Sequence, residues 1–181
     1  MNPLKLIQKY YPVGTEAHNI LLKHSRDVAD KALLIGRMQQ TMQLDLKFVE
    51  EAAMLHDIGA FLCNAPEIGC YGKAEYICHG YLGADLLRKE GYPRHALVCE
   101  RHTGTGLSGE MILRYDLPLP HRDMRPQSME EQLICYADKF YSKTHLYREK
   151  SVEKILKSMA KYGQEAVLQF EKWHQLFGFS F

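Results

Sequence analysis

The chain of 181 residues has the length of one domain, and with 46% hydrophobic residues it carries enough apolar side chain to bury a core. Its formal net charge of +1 gives no overall bias toward nucleic acid or an acidic membrane surface. The N-terminal run from Met1 to Ile7 lacks a signal-peptide pattern, no stretch approaches the roughly 18 apolar residues of a membrane span, and the five cysteines, Cys63, Cys70, Cys78, Cys99 and Cys135, are odd in number; a cytoplasmic protein with reduced thiols is expected.

Helical signals dominate from there on. Thr15-Glu16 opens a helix to about Gln40, with Ile20, Leu21, Val28, Leu34 and Ile35 at helical spacing. Leu46 to Ile58 reads as a second helix stopped by Gly59, and Ala60 to Gly72, which holds Pro66 and Gly69, as mostly loop. A third helix covers about Ala74 to Glu90, and Pro93 begins a fourth that runs to about Thr103. Gly104 to Gln127 is rich in Gly and Pro, with a short helix around Glu110 to Tyr115. Ser128 and Glu131 form a capping box for a helix to about Tyr147. The last helix spans about Val152 to Phe177. Val152, Ile155, Leu156, Met159, Val167, Phe170, Trp173 and Phe177 make much of one face, and Lys150, Lys154, Lys157 and Lys161 lie mostly on the other. That lysine row reads as a solvated surface or as steering for an anionic substrate. The expectation is an all-α, single-domain helical bundle over residues 1–181, with no useful strand and no repeat.

The chemistry lies in where histidines and aspartates fall. His56-Asp57 ends an apolar helix, Ala52-Ala53-Met54-Leu55. Burying an imidazole beside a carboxylate costs free energy unless something satisfies both. A divalent metal does so, and mixed nitrogen and oxygen ligands suit Fe, Mn, Zn or Co better than Ca. The plainer alternative is a hydrogen-bonded helix terminus with His near the dipole's negative end. His24 lies inside the first long helix, His79 in the third, and His102 ends the fourth. Asp138 stands among apolar residues, where a carboxylate is paired or metal-bound. Four histidines and two aspartates suffice for two metals if Asp57 bridges them.

The ordered set His24, His56-Asp57, His79, His102, Asp138 resembles the HD superfamily of metal-dependent phosphohydrolases over about residues 15–147, leaving 152–177 as a C-terminal packing helix. His56-Asp57-Ile58-Gly59 matches its HDIG variant. Arg101-His102-Thr103-Gly104, Leu117-Pro118, Glu130-Glu131-Gln132 and Tyr136-Ala137-Asp138-Lys139 are similar to small stand-alone bacterial and archaeal members. The resemblance implies His24, His56, Asp57 and Asp138 as the basic ligand set and His79 with His102 as the pair that binuclear members add. It therefore implies two divalent metals. It also implies hydrolysis of a phosphoester or phosphoanhydride, expected to be of a nucleotide, by a hydroxide held between the metals, with His56 and Asp57 central to catalysis. Ala60 stands where members that cleave cyclic dinucleotides place Lys, and Gly91-Tyr92-Pro93 is a turn between the His79 and His102 helices, so that route is disfavoured. A dinucleoside polyphosphate and a nucleoside monophosphate are the other substrates weighed; the pair His79 and His102 counts against the second.

Candidate substrate contacts are Arg101 and Lys139, each beside a ligand, the Thr103 hydroxyl, and Arg122 and Arg125 in the Gly/Pro-rich loop; Arg26 points away from His24. Asp27, three residues after His24, is a candidate acceptor for that histidine's free N–H or half of a surface ion pair. Cys63, Cys70 and Cys78 with His79 form a competing structural zinc set. A metal- and nucleotide-binding regulatory module on the same scaffold, or a helical interaction protein with incidental histidines, are the readings outside enzymology. The partners expected are a small phosphorylated substrate and, optionally, further copies in a homo-oligomer, with no membrane and no strong nucleic-acid signal.

Overall fold

The computed structural model describes residues 1–178. Its α-helices are α1 (Pro3–Tyr10), α2 (Glu16–Met38), α3 (Leu46–Leu55), α4 (His79–Lys89), α5 (Pro93–Arg101), α6 (Gly109–Arg114), α7 (Met129–Asp138), α8 (Val152–Met159) and α9 (Gln164–Phe177). The all-α expectation holds. Strand among the described residues is limited to a two-residue antiparallel pair, β1 (Asn64–Ala65) with β2 (Cys70–Tyr71), in which Asn64 faces Tyr71 and Ala65 faces Cys70.

Several boundaries differ from the sequence reading, each for a local reason. The reading passed over α1, although Asn2 caps it by accepting from the Lys5 amide and Pro3 occupies its first turn. The helix expected to reach Ile58 ends at Leu55, and the chain tightens into a 3-10 turn over Ile58–Leu62. Gly59 acts there by its size: a Cβ on it would lie 2.3 Å from the His79 carbonyl oxygen and 2.4 Å from the Gly83 nitrogen. The third helix begins only at His79, after a 3-10 turn at Tyr76–Cys78. The helix expected to reach Tyr147 stops at Asp138, and residues 139–150 cross the molecule irregularly. The last helix is broken by Gly163, whose φ of +98° suits glycine alone.

The core forms where α2, α3 and α7 meet. Buried residues there include Val28, Ala29 and Ala32 of α2, Val49, Ala52 and Ala53 of α3, and Leu133, Ile134 and Ala137 of α7. On the outer side of α7, Tyr136 packs against Phe170 and Phe177 of α9, with ring centroids 5.4 and 5.6 Å apart. Buried Trp173 donates to Gln132 Oε1 at 3.0 Å. Helix α4 buries Gly80, Gly83, Ala84 and Leu87, a single helical stripe. A Cβ on Gly80 would come within 2.9 Å of the Cys99 carbonyl, so this small stripe lets α4 lie almost backbone to backbone on α5.

Candidate metal centre

Four short-range features of the chain deliver ligand atoms to one place. His56 caps the C-terminus of α3, followed directly by Asp57; His102 caps the C-terminus of α5; Asp138 is the last residue of α7; and His79 is the first of α4. Three helices therefore aim the negative ends of their dipoles at the site, which favours a cation there. His24 comes from within α2 and is buried.

The orientation of three of the histidines is fixed by their own helices. Nδ1 of His56 lies 2.6 Å from the Ala53 carbonyl, Nδ1 of His79 lies 2.6 Å from that of Tyr76, and Nδ1 of His102 lies 2.7 Å from that of Cys99. A carbonyl only accepts, so each Nδ1 carries a proton and each Nε2 is the nitrogen turned inward, the one able to offer a lone pair to a metal. The Tyr76 ring stacks on His79 with centroids 4.6 Å apart.

Asp57, fully buried, sits between two groups. Its Oδ2 lies 3.1 Å from Nε2 of both His24 and His56, and Asp138 Oδ1 lies 3.0 and 3.4 Å from the same two nitrogens. Its Oδ1 lies 3.2 Å from His79 Nε2 and 3.3 Å from His102 Nε2, which are themselves 2.9 Å apart. Ligand atoms each about 2.1 Å from one ion would stand about 3.0–3.4 Å apart, and the observed spacings of 2.9–3.4 Å lie close to that range. Both nitrogens of His24, Nε2 of His56 and Oδ1 of Asp57 are buried without a well-formed hydrogen bond, and Asp57 Oδ2 has, beside the histidines, only an ion pair with Lys143. These orphaned atoms and the donor set fit a divalent metal. His24, His56, Asp57 and Asp138 form one group with metal-ligand proximity, and Asp57, His79 and His102 form another.

The electrostatics are those of two buried carboxylates that need positive charge. Burial pushes the Asp57 carboxyl up, but His56 and Lys143 overcome it and hold the group well below the usual range. Asp138 is held low in the same way against its own burial, chiefly by Lys139 and by His24. Burial pushes His56 down, and Asp57 and Asp138 together reverse this and bring it up to about 9. For His102 burial prevails and lowers it to about 4.

The remaining sequence candidates separate cleanly. Lys139 is at the site, with Nζ 2.7 Å from Asp138 Oδ2 and donating to the His102 carbonyl at 3.1 Å. It lines, with Thr103, a cavity of about 1030 Å³ that opens from His24, His79, His102 and Asp138. Arg101, Arg122 and Arg125 do not line it. Arg101 is held by Glu131 at 3.0 Å, Arg122 by Glu100 and Arg125 by Asp123, and the buried Glu131 and Glu100 require those partners. Arg26 pairs with Glu50 at 3.0 Å. Asp27 pairs with Lys23 one helical turn away, and His24 Nδ1 has no partner. Cys63, Cys70 and Cys78 do not gather with His79 into a ligand group among the described residues; all are buried free thiols.

Sequence reasoning missed Lys143. Its Nζ lies 2.6 Å from Asp57 Oδ2 and 5.7 Å from the Tyr76 ring centroid. Five residues past Asp138 on a continuous helix, its side chain would point about 140° away from that ligand. Only the early end of α7 brings it round. Beyond the centre, Leu107, Met111, Tyr115 and Leu117 form one apolar wall of the cavity, and Ile155 and Met159 of α8 form another.

The family model described as HD domain matches residues 21–142. Among curated proteins, the chain is 28% identical over 97% of its length to a tRNA (cytidine(56)-2'-O)-methyltransferase of Picrophilus torridus, covering 49% of that protein. A protein of the same name from Thermoplasma volcanium is 29% identical over 77% of this chain and 35% of its own length. An uncharacterised protein of Methanocaldococcus jannaschii is 30% identical over 65% of this chain and 64% of its own. The chain thus spans about half the length of the first of these relatives and about a third of the second. Among solved structures, the HD domain of the L. monocytogenes phosphodiesterase PgpH superposes with a TM-score of 0.57 at 17% identity, covering 94% of both chains, a likeness of fold.

Proposed function

The chain belongs to the HD-domain family, and on that premise we propose that it is a metal-dependent phosphohydrolase acting on a phosphoester or phosphoanhydride of a nucleotide. The observation that carries this reading is Asp57, which turns one oxygen to His24 and His56 and the other to His79 and His102 at the base of a large cavity. In this reading His24, His56, Asp57 and Asp138 would hold one divalent ion, and Asp57, His79 and His102 would hold another. Such ions supply Lewis acidity toward a phosphoryl oxygen and lower the pKa of a coordinated water.

The chain's own residues do the rest. Asp57, locked between the histidine pairs, fixes where the attacking oxygen stands relative to the phosphorus. Lys143 and Lys139 place ammonium groups beside the two carboxylates, where they offset charge on the phosphoryl oxygens. Thr103 lines the same cavity, and its hydroxyl can donate to a phosphate there. The apolar walls exclude bulk water and receive the organic part of the substrate. In the reaction, water's oxygen bonds to phosphorus, the bond from phosphorus to the leaving oxygen breaks, and a proton from that water balances the charge on the leaving group.

Elemental analysis of protein purified without chelator, paired with a nucleotide and phosphoester panel, tests this. We expect bound transition metal and turnover that is lost in His56→Ala. Less than one metal per chain that reconstitution cannot restore would overturn it. A second reading is favoured by the longer relatives named tRNA methyltransferases, of which the matching stretch is only a part: a metal- and nucleotide-binding regulatory domain. Tight nucleotide binding by metal-loaded protein with no turnover on the panel would select that reading.

A further inference from the structure

Lys139, Lys143 and Lys150 all face the large cavity. The first two are tied to carboxylates, Lys139 to Asp138 at 2.7 Å and Lys143 to Asp57 at 2.6 Å. Lys150 has no carboxylate partner among the described residues. Its Nζ donates to the Tyr141 carbonyl at 3.1 Å, while its amide donates to the Phe140 carbonyl at 2.8 Å and pins the backbone. A part-buried ammonium held by one neutral acceptor is poorly compensated. Burial pushes its pKa down; Asp138 opposes this, and the like charges of Lys139 and Lys143 add to the lowering. Helix α8, which starts two residues later, lays Ile155, Ser158 and Met159 along the same cavity. The lysine row seen in the sequence is thereby split: Lys154 and Lys157 are exposed and stand outside the cavity lining, Lys157 pairing with Glu153, whereas Lys150 and Lys161 line the cavity.

We propose that Lys150 is a second anion subsite, which binds a phosphate adjoining the one placed at Asp57, so that the substrate is an organic diphosphate or longer phosphoanhydride rather than a monoester. This rests on the phosphohydrolase reading. The two phosphates follow the lysines from Lys143 to Lys150, and the organic group lies against the apolar walls. On hydrolysis the bridging oxygen leaves with the phosphate held at Lys150.

Isothermal titration of manganese-reconstituted protein with methylphosphonate and with non-hydrolysable methylenebisphosphonate tests the subsite without relying on turnover. We expect Lys150→Met to weaken the bisphosphonate about tenfold, the size of a charge-assisted hydrogen bond, with methylphosphonate changed less than about twofold. Chelation of the metals by bisphosphonate is common to both proteins and cancels in the comparison. Lys150→Arg should keep the wild-type ratio, and Lys150→Gln, which retains length and polarity, should lose it. An unchanged ratio in either Lys150→Met or Lys150→Gln, or an equal loss for both probes, would overturn the subsite alone. A wild-type protein that binds neither probe would overturn the phosphohydrolase reading and the subsite with it.

Discussion

Three of the candidate ligand histidines donate from Nδ1 to a carbonyl three residues earlier, and this small repeated bond decides which nitrogen each ring turns to the site. At His56 and His102 the carbonyl belongs to the helix the histidine ends, where such carbonyls lack helical partners; at His79 it belongs to the 3-10 turn before α4 and also accepts the His79 amide. The order of His24, His56-Asp57, His79, His102 and Asp138 along the chain was legible through its resemblance to the HD superfamily; the helix ends at His56 and His102 were also readable, whereas His79 and Asp138 were read inside helices that in fact start and stop at them. His56 also carries a proton that a metal must displace. Asp57 and Asp138 hold its pKa up to about 9 against burial, so it is charged below that pH and neutral above it. Apparent metal affinity should therefore rise by about tenfold per pH unit on approaching pH 9 and then flatten, one displaced proton per His56. Competition with a chromophoric chelator between about pH 6 and 9 measures this, and a flat profile across the range would refute it. Lys143→Met should lower kcat/KM by about a hundredfold, on the scale of losing one preorganised charge, with metal content unchanged by elemental analysis. Loss of the metal instead would assign Lys143 to the integrity of the ligand set. No periodicity in the sequence could have shown this lysine, because its place depends on where α7 ends.

Elements meet at the centre by close approach. Gly59 and Gly83 touch through backbone, and α4 rests on α5 through Gly80. Gly59→Ala would force the 3-10 turn away from the start of α4, and with it His79 away from Asp57. We expect it to destabilise the fold by about 1–3 kcal/mol, as overpacking does, and to reduce bound metal at the His79 and His102 group. Phe170→Ala, beneath α9 and remote from the ligands, should cost about 3–5 kcal/mol in urea unfolding yet leave metal stoichiometry intact at low temperature. A matched loss of metal in both variants would mean that the coupling is global rather than through the Gly59 contact. The sequence marked Gly59 as a stop signal, and it is instead a spacer; a glycine's identity says only that something small is needed, and tertiary contact decides which use it serves. Likewise the Gly163 break in the last helix lay hidden inside an amphipathic pattern that continues in register across it.

For the whole molecule, the ordered bundle and the ligand set stand or fall together. A ligand that binds only the folded state stabilises it by mass action, about 2.7 kcal/mol at a hundredfold excess over its dissociation constant. Chelation should thus lower the midpoint of thermal unfolding by several degrees, and manganese or zinc should restore it; an unmoved midpoint in differential scanning calorimetry would argue that the cluster binds no metal. Fold class was readable because it rests on short-range periodicity, and the ligand order because its residues resemble the HD pattern. The cavity was not, since its walls come from segments 104–117 and 139–166, whose course is set by turns and long-range packing. With His24 the exception, every candidate ligand hangs on a helix terminus buried in the core, and the cavity's far walls are built from stretches that supply none of them. On the proposed reading, reaction and target are therefore set by different parts of the chain: substitutions in the walls would change which substrate fits while the residues of the centre stay as they are.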